Sequence, residues 1–201
     1  MPALDVNAQS AELADVRIET NRLVLRRPSL ADVDRVTDLA GAYEVSKWLT
    51  RVPWPYQRSH AVAWIESAVA ADASELTFFM DDGSGAIGAV SLANWRETPS
   101  IGYWLGQPYW GQGLMSEAVD AVLGFAFDRL GASEVRSSVF DHNHASLRLQ
   151  QKFGFRETGR DLQMSLARGN EVPGTTTVLS RDDYGTFREP VVDHTLIVED
   201  F

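Results

Sequence analysis

The sequence predicts an α/β (α+β) fold: a mixed, mostly antiparallel sheet of about six to seven strands flanked by helices. Two observations carry this. Glu75 to Met80, the turn Asp81-Asp82-Gly83-Ser84-Gly85 and Ala86 to Trp95 spell a β-hairpin, and Ser100 to Leu105 follows as a third strand. Beyond it the chain alternates strand, helix, strand, helix, strand, and a crossover helix requires its flanking strands to lie parallel.

Taken in order, residues 1–16 lack periodicity and read as a flexible arm. Arg22 to Arg27 alternates as a strand and stops at Pro28. Ser29 is then an N-cap, with Asp32 three residues on, for a helix to about Ala40 before Gly41. Trp48 to Tyr56 is rich in aromatics and prolines and suits neither regular structure. Ser59 is expected to cap a second helix through Ala63, Trp64, Ser67 and Ala68. After the three hairpin strands, a helix sets Leu114, Ala118, Ala121, Val122 and Phe125 on one face, with Glu117, Asp120 and Asp128 elsewhere and Gly131 closing it. Val135 to Phe140 is a strand, Asn143 to Lys152 a short helix ended by Gly154, and Phe155 to about Asp161 and Thr175 to Leu179 the last strands. The expected division is an arm over 1–16, one domain over 17–184 and a C-terminal extension over 185–201, in which Thr195 to Val198 suits an edge strand or a partner contact.

With 201 residues, 44% hydrophobic and 23% charged, the chain has the composition of a globular domain with a sizeable core. It has no cysteine, so disulfides, thiolate metal sites and a cysteine nucleophile are excluded. No secretory leader and no apolar run of membrane-spanning length is visible, so a cytoplasmic protein without a membrane partner is expected. A net charge of −10 argues against nucleic acid as a partner and suits solubility, or attraction of a cationic substrate such as an amine.

The most informative segment runs from Ile101 to Ala118. A β-run is followed by a turn punctuated by Gly106 and Pro108, then by Gly111-Gln112-Gly113 leading straight into the amphipathic helix. Glycines before a helix let a ligand approach unpaired amide N–H groups closely, and the positive helix end favours an anion such as a pyrophosphate. An ordinary turn and helix start reads the same way from these residues alone. In the helix from Asn143, Asn143, Ser146 and Gln150 fall on one polar stripe, with Ala145, Leu149 and Phe153 on an apolar stripe assigned to the core. For Asn143 and Ser146, an N-cap with a solvated hydroxyl stands beside a ligand-facing stripe.

Three blocks together resemble the GCN5-related N-acetyltransferase (GNAT) superfamily, and within it the RimJ/RimL branch that acetylates N-terminal amino groups of ribosomal proteins. They are Glu19 to Arg26, Tyr103 to Gly106 with Tyr109 to Leu114, and Asn143-x-x-Ser146 with Lys152-Phe153-Gly154-Phe155, spanning about Glu19 to Tyr184. The resemblance implies a GNAT-like sheet, acetyl-CoA as cosubstrate without a metal, and transfer of an acetyl group to a primary amine. It places the pantetheine arm along Trp104, Leu105 and Gly106, the pyrophosphate on Trp110, Gly111, Gln112, Gly113, Leu114 and Met115, and Asn143 beside the cofactor. Relatives often carry a basic residue or Gln where Trp110 stands, and Gly or Ala where Met115 stands. Many have, at Gln150, a Tyr that protonates the leaving thiolate; glutamine lacks that acidity, and the resemblance moves the role to Ser146.

No general base identifies itself. Relatives commonly have a carboxylate where Ser100 stands. Glu97 reads as a hairpin residue, Asp141 as a cap of the following helix, and His142 and His144 as surface residues, since His-x-His without further ligands makes no metal site. Among the aromatics Trp48, Trp54, Tyr56, Trp95 and Trp104, most suit the core, while the Pro-flanked loop suits an acceptor wall. The function read is acetyl-CoA-dependent N-acetylation of a protein N-terminal α-amine. Acetylation of a small-molecule amine, or a CoA-binding module without catalysis, are the alternatives, and a homodimer is possible through the tail. A dinucleotide fold is disfavoured because Ser116 stands where its third loop glycine belongs.

Overall fold

In the computed structural model, which describes residues 16–70, 72–187 and 196–197, the strands form a single sheet in the order β7-β8-β6-β5-β4-β3-β2-β1-β9. Its strands are β1 (Arg17–Glu19), β2 (Val24–Arg26), β3 (Glu75–Asp81), β4 (Ala86–Ala93), β5 (Ser100–Leu105), β6 (Glu134–Phe140), β7 (Arg156–Ser165), β8 (Asn170–Ser180) and the two-residue β9 (Leu196–Ile197). The helices are α1 (Val33–Gly41), α2 (Tyr43–Ser46), α3 (Arg58–Val69), α4 (Leu114–Gly124), α5 (His144–Lys152) and α6 (Arg181–Phe187). Every neighbouring pair is antiparallel except β5 and β6, which are parallel around the α4 crossover.

The sheet is larger than the six to seven strands expected: eight, and nine with β9. Part of the difference lies at the start. A turn in which Thr20 N donates to Leu23 O at 2.9 Å splits the opening segment into β1 and β2. The tail supplies β9 against β1, so it does add an edge strand. Residues 1–15 of the expected arm lie outside the described residues, while Val16 is buried in the core.

The early elements follow local chemistry closely. Ser29 and Asp32 form a reciprocal capping box on a 3₁₀ turn (Leu30–Asp32) that leads into α1. In the β3–β4 turn, Asp81 Oδ1 accepts from the amides of Gly83 and Gly85, whose φ of +93° and +106° demand glycine. The N-cap position of α3 is not Ser59, as expected, but Gln57, whose amide donates to His60 Nδ1 at 3.0 Å while its backbone carbonyl accepts from the His60 amide at 2.9 Å.

The two short final strands expected are instead one long hairpin, β7–β8. Pro173 and Gly174 look like breakers, yet Pro173 pairs with Leu162 in the β7 register and Gly174 with Asp161. A Cβ at Gly174 would stand 2.8 Å from Asp161 Oδ1 and 2.9 Å from Val139 O, so only glycine fits there.

Both faces of the central strands are covered, which is why β3 and β4 read as nearly continuous apolar runs. Phe78 and Leu105 join the layer under α4, with Ala118, Val122 and Phe125. Their neighbours Phe79 and Trp104 turn the other way, into a second layer with Val36 of α1 and Ile65 of α3. No helix among the described residues is long and apolar enough to cross a membrane. Phe79 is fully buried, so Phe79→Ala is expected to cost about 3–5 kcal/mol, read from the urea midpoint at unchanged m-value.

Candidate active site

β5 and β6 are in register at one pair, Ser100 with Arg136, and diverge above it. At the next step a side chain bridges the gap, Ser137 Oγ donating to Ile101 O at 3.0 Å. Gly106 N donates to Ile87 O on the β4 side at 2.9 Å. Hydrogen-bonding direction alternates along a strand, so the amides of Leu105 and Tyr103 point to the opposite edge, into the opening. The expected run Trp104, Leu105, Gly106 therefore divides. Leu105 presents backbone to the opening, whereas Trp104 and Gly106 bond toward β4. The Trp104 ring packs beside Trp64 at 6.3 Å between centroids, in the α1/α3 layer.

The β5–α4 loop begins with a 3₁₀ turn at Gln107–Tyr109. Trp110, half-exposed, donates Nε1 to Leu105 O at 2.7 Å and so holds the loop against the strand end. Gly111 and Gly113 both have left-handed φ, +73° and +76°, and a Cβ on Gly111 would meet nothing within 4 Å. Gly113 is the N-cap of α4 and supplies no side-chain cap, leaving the first amides of an eleven-residue helix for an outside acceptor. Leu114 is buried and anchors the helix start, and Met115 is half-buried beside the cleft. Gln112 turns its amide to Pro108 O at 3.2 Å.

Arg22, on the β1–β2 turn, escaped the sequence reading of the site. Its guanidinium donates to Gln112 O at 2.8 Å and to Glu117 Oε2 at 2.7 Å. Glu117 Oε1 also accepts from the Arg22 amide and from Thr20 Oγ1. Burial works to raise the Glu117 carboxyl, but the Thr20 and Arg22 donors outweigh it and hold the group below its ordinary value. The first β-turn of the domain is thus tied to the glycine loop.

On α5, Asn143 is the N-cap, accepting from Ser146 N at 3.2 Å. Asp141, expected to cap this helix, pairs with Arg160 instead. Asn143 and Ser146 both line the cleft. Gln150 does not share their face. It is 2% exposed, donating to Ser137 Oγ and accepting from Thr177 Oγ1, each at 2.8 Å, beneath the helix. Its amide finds a matched donor and acceptor on β6 and β8, which makes a buried polar residue tolerable. Ala145 and Leu149, assigned to the core, line the cleft, and Gln150 and Phe153 take the buried side.

Ser146 Oγ lies 2.8 Å from the hydroxyl of Tyr103, which opens the resembling β5 block but has no role in the sequence reading. Burial pushes the Tyr103 phenol above its ordinary value, against the hydrogen bonds to Ser146 and Gln150. The hydroxyl therefore stays protonated across the neutral range.

The opening continues into a cleft of about 1370 Å³ on the α1/α3 face of the sheet. Gly102 lies exposed on its floor, and a Cβ there would meet nothing within 4 Å. Trp48, Arg51, Tyr56 and Trp64 form one wall. The β7–β8 turn is strapped to that wall, Leu166 N donating to Thr50 O at 3.1 Å and Arg168 Nε to Lys47 O at 2.7 Å. The Arg168 guanidinium also stacks over Trp48 at 4.8 Å. Trp54 is exposed and edge-on to Tyr43 outside this wall, and Trp95 is buried in the core. Glu97 does not line the cleft; His142 and His144 do, 6.2 Å apart between centroids. No group of three potential metal ligands occurs among the described residues.

A mostly antiparallel sheet split at one parallel pair, with a glycine loop and a bare helix start at the split, defines an acyl-CoA-binding fold. The chain belongs to the GNAT acetyltransferases: the acetyltransferase (GNAT) domain model matches residues 22–156. It is 28% identical over 158 residues to the Bacillus subtilis uncharacterized N-acetyltransferase YoaA, covering 71% of this chain and 84% of that one. Among solved structures it resembles Mycobacterium smegmatis RimJ in complex with CoA-disulfide, at TM-score 0.71 and 18% identity over 84% of this chain and 87% of that one. It also resembles Vibrio cholerae spermidine N-acetyltransferase in complex with CoA and spermine, at TM-score 0.70 and 16% identity over 82% and 99%. The chain is an acetyl-CoA-dependent N-acetyltransferase.

Two outcomes test the loop. Gly113→Asp forces a side chain into left-handed backbone, worth about 1–2 kcal/mol, and sets a carboxylate at the anion site. Acetyl-CoA affinity by calorimetry should fall tenfold or more. Glu117 supports the loop only while ionised, so its contribution is complete above its ordinary value of about 4.3 and is lost as pH falls through its lowered value. Acetyl-CoA affinity should therefore hold down through the ordinary carboxylate range and weaken only below it, and Glu117→Gln should show the weakened affinity throughout.

Proposed function

We propose that this acetyltransferase acts on protein N-terminal α-amines, as the RimJ/RimL branch does, and that Ser146 protonates the departing CoA thiolate. The observation that supports the acceptor class is that β5, the strand edge at the split, offers no carboxylate to meet the amine directly, so any base must act at one remove. Ser100 stands at the foot of β5 where a carboxylate would serve, and none replaces it on that strand. An α-amine with pKa about 8 is roughly one-tenth neutral at pH 7, whereas a lysine near 10.4 is about three units short, or roughly 4 kcal/mol. The first needs little help from the enzyme; the second needs a strong base or marked desolvation.

In this reading the amides of Gly111 to Met115 hold the pyrophosphate, and the β5 edge at Leu105 runs beside the pantetheine arm. An amide of β5 facing the opening stabilises the oxyanion that develops on the thioester carbonyl. Acetyl-CoA supplies the activated acyl group. The cleft over Gly102 holds the amine in line with it, and that positioning provides much of the acceleration. Ser146, its hydroxyl bonded to Tyr103, stands on the α5 side of the opening.

Thiol release from acetyl-CoA, assayed against alanine- and serine-initiated peptides, lysine peptides and spermidine, tests the acceptor. Turnover of the peptides through their α-amines at least tenfold above the others is expected; preference for spermidine would transfer the reading to small-molecule amines. Ser146→Ala should lower kcat by about 10²-fold and leave acetyl-CoA affinity unchanged.

A further inference from the structure

Across the split from β5, a hydroxyl and a carboxylate stand bonded to each other beside the cleft. Successive residues of β6 face opposite ways. Ser137 points to α5, bonded to Ile101 O and Gln150, while Ser138 points into the cleft, two positions above the Ser100–Arg136 pair. Ser138 Oγ donates to Asp161 Oδ2 on β7 at 2.9 Å. Gln163 Nε2, two residues along β7 on the same face, donates to both Ser138 Oγ and Asp161 Oδ2. The other carboxylate oxygen, Oδ1, is buried against Gly174 and has no hydrogen-bond partner among the described residues. A buried carboxylate oxygen left without a donor is costly. Asp161 stands at the cleft wall and turns Oδ2 to the Ser138 hydroxyl.

Several other charged groups around the cleft are already paired. Arg160, beside Asp161 in sequence, pairs with Asp141, Arg51 with Glu75 and Arg136 with Glu134. His60 Nδ1 accepts from the Gln57 amide, and His142 and His144 are exposed and face each other. Asp161 makes no ion pair among the described residues.

We propose that Ser138 takes the proton from the acceptor ammonium while passing its own hydroxyl proton to Asp161, with Gln163 holding both in line. The inference rests on the proposed placement of the acceptor in the cleft over Gly102, and not on which amine is bound. The balance is complete. One ammonium proton ends on Asp161 Oδ2 and returns to water. The freed nitrogen lone pair forms the C–N bond as the C–S bond breaks, and thiolate protonation together with loss of a second nitrogen proton yields amide and CoA thiol. Ser138 is the catalytic residue and Asp161 the positioning residue that acts through it.

The test measures Asp161→Asn, Ser138→Ala and Asp161→Glu with an alanine-initiated peptide, glycinamide and spermidine as probe amines, from pH 6 to 10. For the Asn and Ala variants, kcat at pH 7 should fall about 10²-fold, with acetyl-CoA affinity within twofold of wild type. Their kcat/KM should climb about tenfold per pH unit toward the acceptor's own pKa, closing most of the gap at high pH, and Asp161→Glu should recover part of the rate. Wild-type kcat in both variants, or a loss equal at every pH, would overturn the relay; weakened acetyl-CoA affinity would show a structural role and overturn it too. Spermidine accepting while the peptide does not would sink the N-terminal reading alone, the relay then being judged on spermidine. Absence of transfer from wild type to all three amines would overturn both.

Discussion

The constraint on which the rest depends is the single parallel pair in a sheet that is otherwise antiparallel. A parallel neighbour needs a crossover, and here the crossover is the glycine loop and α4. Two strands joined through a helix need stay in register only briefly, so β5 and β6 can part above Ser100. The parting leaves strand-edge amides without a strand partner in the middle of the protein, an arrangement folded chains otherwise avoid. The same crossover delivers the start of α4 to the top of the opening. An opened strand edge and a bare helix start, held side by side, suit a ligand that is amide-rich along its arm and anionic at its head.

Holding the split open requires polar ties that do not close it. Ser137 spans the foot of the gap with a side chain, and Gln150 grips Ser137 and Thr177 from beneath. That use of Gln150 gives physical sense to the absence of a tyrosine there: the position has become a buried clamp between α5, β6 and β8, while Ser146 and Tyr103 occupy the surface above it. The two faces of the sheet are specialised accordingly. One carries the loop, α4 and α5; the other carries the aromatic wall, the strap from β7–β8 and the Ser138–Asp161 pair.

What could be read in the sequence was what neighbours along the chain decide. The β3–β4 turn is fixed by Asp81 and its two glycines, the α1 start by Ser29 and Asp32, and the parallel pair by the order of elements. The glycine loop announced itself because left-handed backbone requires glycine. What escaped notice depends on residues far apart in sequence. Arg22 becomes part of the site only because Glu117, 95 residues later, lies under it. Gln150 looked like a member of a polar stripe because helical spacing cannot show two strand hydroxyls waiting on the other side. The last strands read too short in the sequence because the place of Pro173 and Gly174 in β8 rests on Leu162 and Asp161 across the hairpin. Asp161 itself carried no local signal.

The tie between Glu117 and the first β-turn has a thermodynamic corollary. Thr20 and Arg22 belong to the turn joining β1 to β2, the strands beside the edge of the sheet, where fraying is cheapest. Because the Arg22 guanidinium also holds the Gln112 carbonyl, a ligand that needs the ordered loop binds only molecules in which that edge is closed. By reciprocity the ligand must close the edge as tightly as the edge favours the ligand. Amide-exchange protection of Ile18 and Leu25 is therefore coupled to occupancy of a loop some ninety residues away, and the sheet's margin serves as a reporter of its centre.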